Sequence, residues 1–134
     1  MKFTVLLIIM LFAGCSLFKN EQLVPEGLEG DWTWYRTVGG WGQVVDADTA
    51  GYTMTLKIYS QNEAHWFTND SLVQKYTIRE GDHDWNEGEL VMYRQNYEGE
   101  TDCGLLIQYK PKIRELQLPT ALCTDSPTYY FSRK

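Results

Sequence analysis

Histidine, cysteine and clustered basic residues are scarce in this chain of 134 residues. Each of these scarcities argues against certain classes of function. The two histidines, His65 and His83, lie in no nucleophile or metal-ligand motif. We therefore expect that the protein is not an enzyme and that it has no catalytic residue and no cofactor. The 12 Lys and Arg residues form no cluster and are outnumbered by 18 Asp and Glu, for a net charge of −6. This balance argues against nucleic acids and anionic lipid surfaces as partners.

Long apolar runs are also absent, except at the N-terminus, where Lys2 precedes an apolar run over residues 3–13 that contains no acid. A helix of that length covers roughly half of the ~30 Å hydrocarbon core of a bilayer, which is too short for a transmembrane segment. A positive start followed by a short apolar run is typical of a secretory signal. We therefore predict that residues 1–14 are a signal peptide.

The end of this run, Leu11-Phe12-Ala13-Gly14-Cys15, resembles the lipobox of bacterial lipoproteins. The resemblance implies that Cys15 is the mature N-terminus, that it carries acyl chains such as palmitate, and that these chains anchor the protein to a membrane. The alternative is an ordinary secretory signal that contains a cysteine. Residues 15–27 would form the tether, and Ser16 after the cysteine favours the outer membrane of a Gram-negative cell envelope.

Assigning Cys15 to lipid leaves Cys103 and Cys123 as an even pair of the three cysteines. In the oxidising environment outside the cytoplasm such a pair favours a disulfide. Two free buried thiols are the alternative.

Runs rich in Thr, Tyr, Val, Ile and Trp, each bounded by Gly, Asn, Asp or Pro, predict an all-β domain over residues 28–134. Met54, Leu56 and Ile58 alternate with Thr55 and Lys57, which indicates a strand with one face in a core. The eight predicted strands cover residues 30–38, 52–60, 64–68, 72–79, 89–96, 105–110, 113–118 and 129–133.

Short links between several of these strands predict antiparallel hairpins in an up-and-down order. Two links are longer, over residues 39–51 and 80–88. Eight antiparallel strands with one apolar face can close into a barrel, which removes the exposed edges and leaves room for side chains or one small ligand. We therefore predict an eight-stranded up-and-down β-barrel.

The segment Gly30-Asp31-Trp32 at the start of the first strand is similar to the G-x-W signature of lipocalins and the wider calycin group. The whole of residues 28–134 resembles the short lipocalin-like domains of bacterial lipoproteins, with a glycine-rich loop after the first strand and an aromatic last strand that ends in Arg133. The resemblance implies that Trp32 plugs the closed end of the barrel and that Arg133 packs across its ring. The domain departs from animal lipocalins in its length, since the 107 residues of 28–134 leave no room for their C-terminal helix.

Aromatic residues make up 14% of the chain, which raises the question of whether some of them line a ligand pocket. The alternative is that they fill the barrel or lie on its outer surface. The candidate ligand-binding residues are Trp41, Met54, Leu56, Trp66, Tyr76, Met92 and Tyr109.

Asp82, Asp84 and Asn86 repeat at every second position, as the oxygen ligands of a calcium loop do. Gly88 comes one position late for such a loop, and no glutamate follows at its last position. We interpret this segment, like Asp46 and Asp48, as an acidic surface segment and expect no metal site.

Two functions are consistent with these features. The first is a monomeric, membrane-anchored barrel that binds a small hydrophobic or amphipathic ligand beneath the loop over residues 39–51. The second is a structural or protein-interaction lipoprotein of the cell envelope whose barrel is filled. The sequence does not identify a protein partner.

Overall fold

The computed structural model describes residues 21–82, 84, 86–99, 102–120, 123 and 125–133. The predicted signal peptide, Cys15 and the first part of the predicted tether lie outside these residues. Within the described part of the chain, no helix is long and apolar enough to cross a membrane.

The described residues form an all-β fold with one short helix. The strands are β1 (Gly30–Val38), β2 (Val44–Asp46), β3 (Met54–Tyr59), β4 (Glu63–Thr68), β5 (Ser71–Glu80), β6 (Leu90–Arg94), β7 (Leu105–Leu106), β8 (Gln108–Lys110), β9 (Glu115–Pro119) and β10 (Thr128–Ser132). Helix α1 (Ala47–Ala50) follows β2, and a 3₁₀ turn (Pro111–Ile113) precedes β9.

All strand pairs in the sheet are antiparallel, in the order β7-β6-β5-β4-β3-β1-β10-β9-β8, and β2 pairs with β1. The two ends of this order meet because β7 and β8 are neighbours along the chain. A bridge between Leu105 and Thr120 joins β7 to the residue after β9. The sheet is therefore a nearly closed barrel.

The described residues form ten strands where the sequence predicts eight, for two reasons. The predicted strand over residues 105–110 changes partner at Ile107: β7 pairs with β6, whereas β8 pairs with β9. The amide of Ile107 itself donates to the carbonyl of Leu90. In addition, β2 forms inside the segment predicted as a loop, where Val44 pairs with Val38.

The interior is built by the alternation that the sequence predicts. Met54, Leu56 and Ile58 of β3 are buried, while Thr55 and Lys57 between them are only partly covered. In the same way, β9 places Leu116 and Leu118 in the core and leaves Glu115 and Gln117 partly accessible. Each strand therefore contributes one apolar face to a shared core.

One end of the barrel, which we call the closed end, is sealed by the chain that leads into β1. Val24 and Leu28 lie in the core at 3% and 0% exposure, so the second half of the predicted tether packs against the barrel. Asn62, in the β3–β4 turn, accepts from the amide of Leu23 at 2.9 Å and donates to the carbonyl of Glu21 at 2.9 Å. The chain thus enters the domain at the closed end.

Candidate functional site

The opposite end of the barrel, which we call the mouth, contains a cavity of about 420 Å³. The mouth is formed by the β1–β2, β4–β5, β6–β7 and β9–β10 connections. Apolar side chains make most of the cavity wall, and they come from five strands; they include Met54, Trp66, Val73, Tyr76, Leu105 and Tyr129. Polar groups at the same cavity are Gln74, Arg94, Asp102, Thr120 and Ser126.

Trp66 is the largest of the lining side chains and is 7% exposed. Its ring meets the rings of Tyr129 and Phe131 edge-on, with centroids 4.9 and 5.3 Å apart, and lies 6.4 Å from that of Tyr76. These contacts fix the orientation of the indole. Phe131 is fully buried and belongs to the packed core. The cavity is therefore a mouth cavity above a filled barrel.

Arg94 and Asp102 form the charged part of the cavity wall. Asp102 accepts from the backbone amide of Arg94 at 2.6 Å and from its side-chain Nε at 3.2 Å. It also accepts from the amide of Gly104 at 3.2 Å. The guanidinium lies over the ring of Tyr97, with Cζ 4.0 Å from the centroid. The pair therefore joins the two ends of the β6–β7 connection and holds the guanidinium of Arg94 in a defined position.

The two tyrosines of the cavity wall are neutral at physiological pH. Burial raises the pKa of Tyr76 to about 12, and burial also raises the pKa of Tyr129. Both side chains can therefore act as neutral hydrogen-bonding groups beside a ligand, but neither supplies a charge.

Cys103 and Cys123 lie at disulfide distance, with Cα atoms 5.9 Å apart, and both line the cavity. Cys103 lies two residues before Leu105, and Cys123 lies three residues after Thr120. The cysteine pair therefore flanks the bridge that closes the barrel and joins two of the mouth connections.

The structure places the predicted ligand-binding residues at different depths. Met54, Trp66 and Tyr76 line the cavity, whereas Leu56 and Met92 lie fully buried in the core and are not among the lining residues. Tyr109 lies near the closed end, where its ring meets Trp32 edge-on at 5.6 Å. Trp41 is 77% exposed in the β1–β2 connection.

The polar lining residues were not predicted from the sequence. Arg94 and Asp102 lie at the end of β6 and in the β6–β7 connection, where the alternation of strand residues ends. One signal points to part of this set: pairing Cys103 with Cys123 brings Asp102 close to Thr120 and Ser126.

At the closed end the structure brings the predicted pair Trp32 and Arg133 together. The guanidinium of Arg133 lies 4.3 Å from the ring centroid of Trp32. It donates to the carbonyls of Gly27 at 3.0 Å, Leu28 at 3.3 Å and Glu29. The indole N–H of Trp32 donates to the carbonyl of Leu28 at 2.8 Å. These contacts hold the entering segment against the barrel.

The described part of the acidic segment between β5 and β6 forms a turn. The amide of Gly81 donates to the carbonyl of Glu89 at 2.9 Å, and Asn86 is 1% exposed. Asp82 accepts from the hydroxyl of Tyr93 and pairs with Arg79. His83 lies outside the described residues, among which no group of three or more His, Cys, Asp or Glu is arranged to hold a metal ion.

The two acids of the other predicted surface segment lie beside the mouth. Asp46 pairs with Arg36 at 2.8 Å, and Asp48 is exposed in α1.

Comparison of the chain with protein-family models, with curated proteins and with solved structures finds no match. The functional interpretation therefore depends on the mouth cavity and on the sequence features at the N-terminus.

Proposed function

We propose that this chain is a lipid-anchored, lipocalin-like protein that binds a small hydrophobic or amphipathic ligand in the mouth cavity. The observation that carries the proposal is the cavity itself. Its volume of about 420 Å³ lies within the range of small-molecule sites, and its wall is mainly apolar with a few polar groups. The resemblance of residues 28–134 to lipocalin-like domains supports the same interpretation.

The anchoring part of the proposal depends on the lipobox-like sequence that ends at Cys15. This part of the proposal also includes removal of residues 1–14 and location in the cell envelope. Because Ser16 follows the cysteine, we propose attachment to the outer membrane. Mass spectrometry of the mature protein from a bacterial host tests the anchoring. We expect an N-terminal diacylglyceryl cysteine at position 15, and an unmodified N-terminus, or one at another residue, would contradict anchoring.

The binding part is tested with a neutral apolar dye, N-phenyl-1-naphthylamine, titrated into the purified domain. We expect saturation at one dye per chain, with energy transfer from tryptophan to the dye. Trp66→Phe should weaken the affinity for the dye several-fold, because Trp66 lines the cavity and forms part of its wall.

Trp41→Phe is the matched control, since Trp41 is exposed and does not line the cavity. This variant should retain the affinity of the wild-type protein for the dye. Dye fluorescence that rises linearly without saturation would contradict a binding site in the mouth cavity and would favour the second candidate function given below.

A second candidate function, a protein-interaction lipoprotein, is favoured by one observation. Large apolar side chains are exposed on the elements around the mouth, among them Trp41, Val44, Leu72 and Val73. Single exposed apolar residues are ordinary, but several at one end of a domain are typical of contact surfaces. This candidate predicts a stable complex that forms with an empty cavity.

A further inference from the structure

The cavity wall carries a cation whose hydrogen-bonding capacity is only partly used. Nε of Arg94 donates to Asp102, which leaves the two terminal nitrogens, Nη1 and Nη2. Among the described residues, no hydrogen bond or ion pair joins either of these nitrogens to an acceptor. A guanidinium presents its two terminal nitrogens as a fork that fits two oxygens of one anionic group.

We propose that the ligand is an anionic amphiphile, with a carboxylate or phosphate head bound by Nη1 and Nη2 of Arg94 and an apolar tail in the cavity beside Trp66. The inference rests on the proposed binding function and names the ligand class for that site.

Asp102 does not offer an equivalent site for a cationic head. Its side chain is 14% exposed, and its oxygens already accept from two backbone amides and from Nε of Arg94. The side chain of Arg94 is 39% exposed. The carboxylate therefore positions the guanidinium, and the guanidinium retains donors for a ligand.

The position of the guanidinium is fixed before a ligand arrives. Asp102 holds Nε, and the ring of Tyr97 lies 4.0 Å from Cζ. An arginine restrained on one edge and one face loses little rotamer freedom when an anion binds its free edge. The site is therefore preorganised for two oxygens.

The net charge of −6 does not conflict with an anionic ligand. At 0.1 M salt, charges separated by more than about 10 Å are largely screened. A basic cluster is needed to hold an anionic surface, whereas one restrained arginine is enough for a single head group whose tail is bound by apolar contacts.

The cavity volume limits the tail. A methylene occupies roughly the volume of one water molecule in the liquid, about 30 Å³. A cavity of about 420 Å³ therefore has room for roughly fourteen such groups, and a longer tail would extend out through the mouth. Probes with ten-carbon tails fit within this limit.

The test compares four probes that share a decyl tail: decanoate, decyl phosphate, decan-1-ol and decyltrimethylammonium. Each probe is titrated against the neutral dye bound to the protein, at neutral pH and below the critical micelle concentration of the probe. We expect at least one of the two anions to bind about tenfold more tightly than the alcohol, since a charge-assisted pair is stronger than a neutral hydrogen bond. Comparison of the two anions separates carboxylate from phosphate heads.

Two variants distinguish a head-group contact from a structural role. Arg94→Gln should remove the preference for the anions while leaving the affinity for decan-1-ol within about twofold. Arg94→Lys should restore only part of that preference, because an ammonium keeps the positive charge but lacks the planar fork of the guanidinium.

The outcomes separate this inference from the proposed function. Equal affinity for anion and alcohol in the wild-type protein, tighter binding of the cation, or an equal loss for all probes in Arg94→Gln would overturn the inference and leave binding in place. Failure of every probe and of the dye to bind would overturn the proposed function as well.

Discussion

At the scale of single residues, Arg133 connects the last strand to the segment that enters the barrel. Its guanidinium donates to three carbonyls and covers the ring of Trp32. Gly30 has a φ of +111°, and a Cβ at this position would lie 3.1 Å from Nη2 of Arg133. The glycine of the G-x-W segment therefore allows both the backbone conformation and the close approach of the arginine.

Replacing Arg133 by Ala should lower the free energy of unfolding by about 2 kcal/mol, because it removes hydrogen bonds from a charged donor and a contact with an aromatic ring. Urea denaturation followed by tryptophan fluorescence measures the change. Arg133→Lys should recover only part of it, since an ammonium does not reproduce the planar fork.

Arg36→Ala is the control for this measurement. Arg36 pairs with Asp46 at 2.8 Å on the surface, where both side chains are about half exposed, so its removal should cost less than about 1 kcal/mol. An Arg133→Ala protein as stable as wild type would contradict the role assigned to the closed-end contact.

At the scale of elements, the cysteine pair connects the β6–β7 and β9–β10 connections beside the bridge between Leu105 and Thr120. Replacing both Cys103 and Cys123 by Ser should lower the free energy of unfolding by about 3 kcal/mol, the value expected for a closed loop of about twenty residues. Comparison of the oxidised protein with the double variant in urea measures this.

The reduced wild-type protein is the matched control for that comparison. It should unfold at the same urea concentration as the double variant. Identical unfolding of the oxidised and reduced proteins would mean that the bond does not stabilise the barrel.

The alternation of apolar and polar residues predicted the core-facing strands well, since β1 has the predicted bounds and Leu116 and Leu118 lie in the core. It did not predict the change of partner at Ile107 or the pairing of β2. The change of partner depends on a hydrogen bond to a strand elsewhere in the chain, from Ile107 to Leu90. The strand β2 pairs with its neighbour β1, but its three residues are too few to show an alternation. A period of two specifies which face is buried and not which strand lies beside it.

The same limit explains why the residues of the candidate site were only partly predicted. Met54 and Leu56 belong to one apolar face of β3, yet Met54 lines the cavity and Leu56 lies in the filled core. Depth along the barrel axis is set by strand tilt and stagger, which the pattern within one strand does not contain. Arg94 and Asp102 lie where strand periodicity ends, so the alternation does not select them, and only the pairing of Cys103 with Cys123 points to the region of Asp102.

At the scale of the whole molecule, the barrel is weakest where β7 joins its neighbours. This seam has two residue pairs with β6 and one bridge to Thr120, whereas β3 and β4 share six pairs. Native-state hydrogen exchange should therefore be faster for amides of β7 than for those of β3 and β4. Reduction of the disulfide should widen the difference, and equal protection of the two regions would contradict a weak seam.

The entry of the chain at the closed end has a consequence for a protein held by lipid at Cys15. Glu21 lies six positions after Cys15, a reach of at most about 20 Å, so a lipid anchor at Cys15 would hold the closed end of the barrel near the membrane. Its opening would face the aqueous space and not the supporting bilayer. If Cys15 is lipidated as proposed, a ligand would then enter from solution, from a carrier or from an opposing membrane, and not by lateral movement out of the anchoring leaflet.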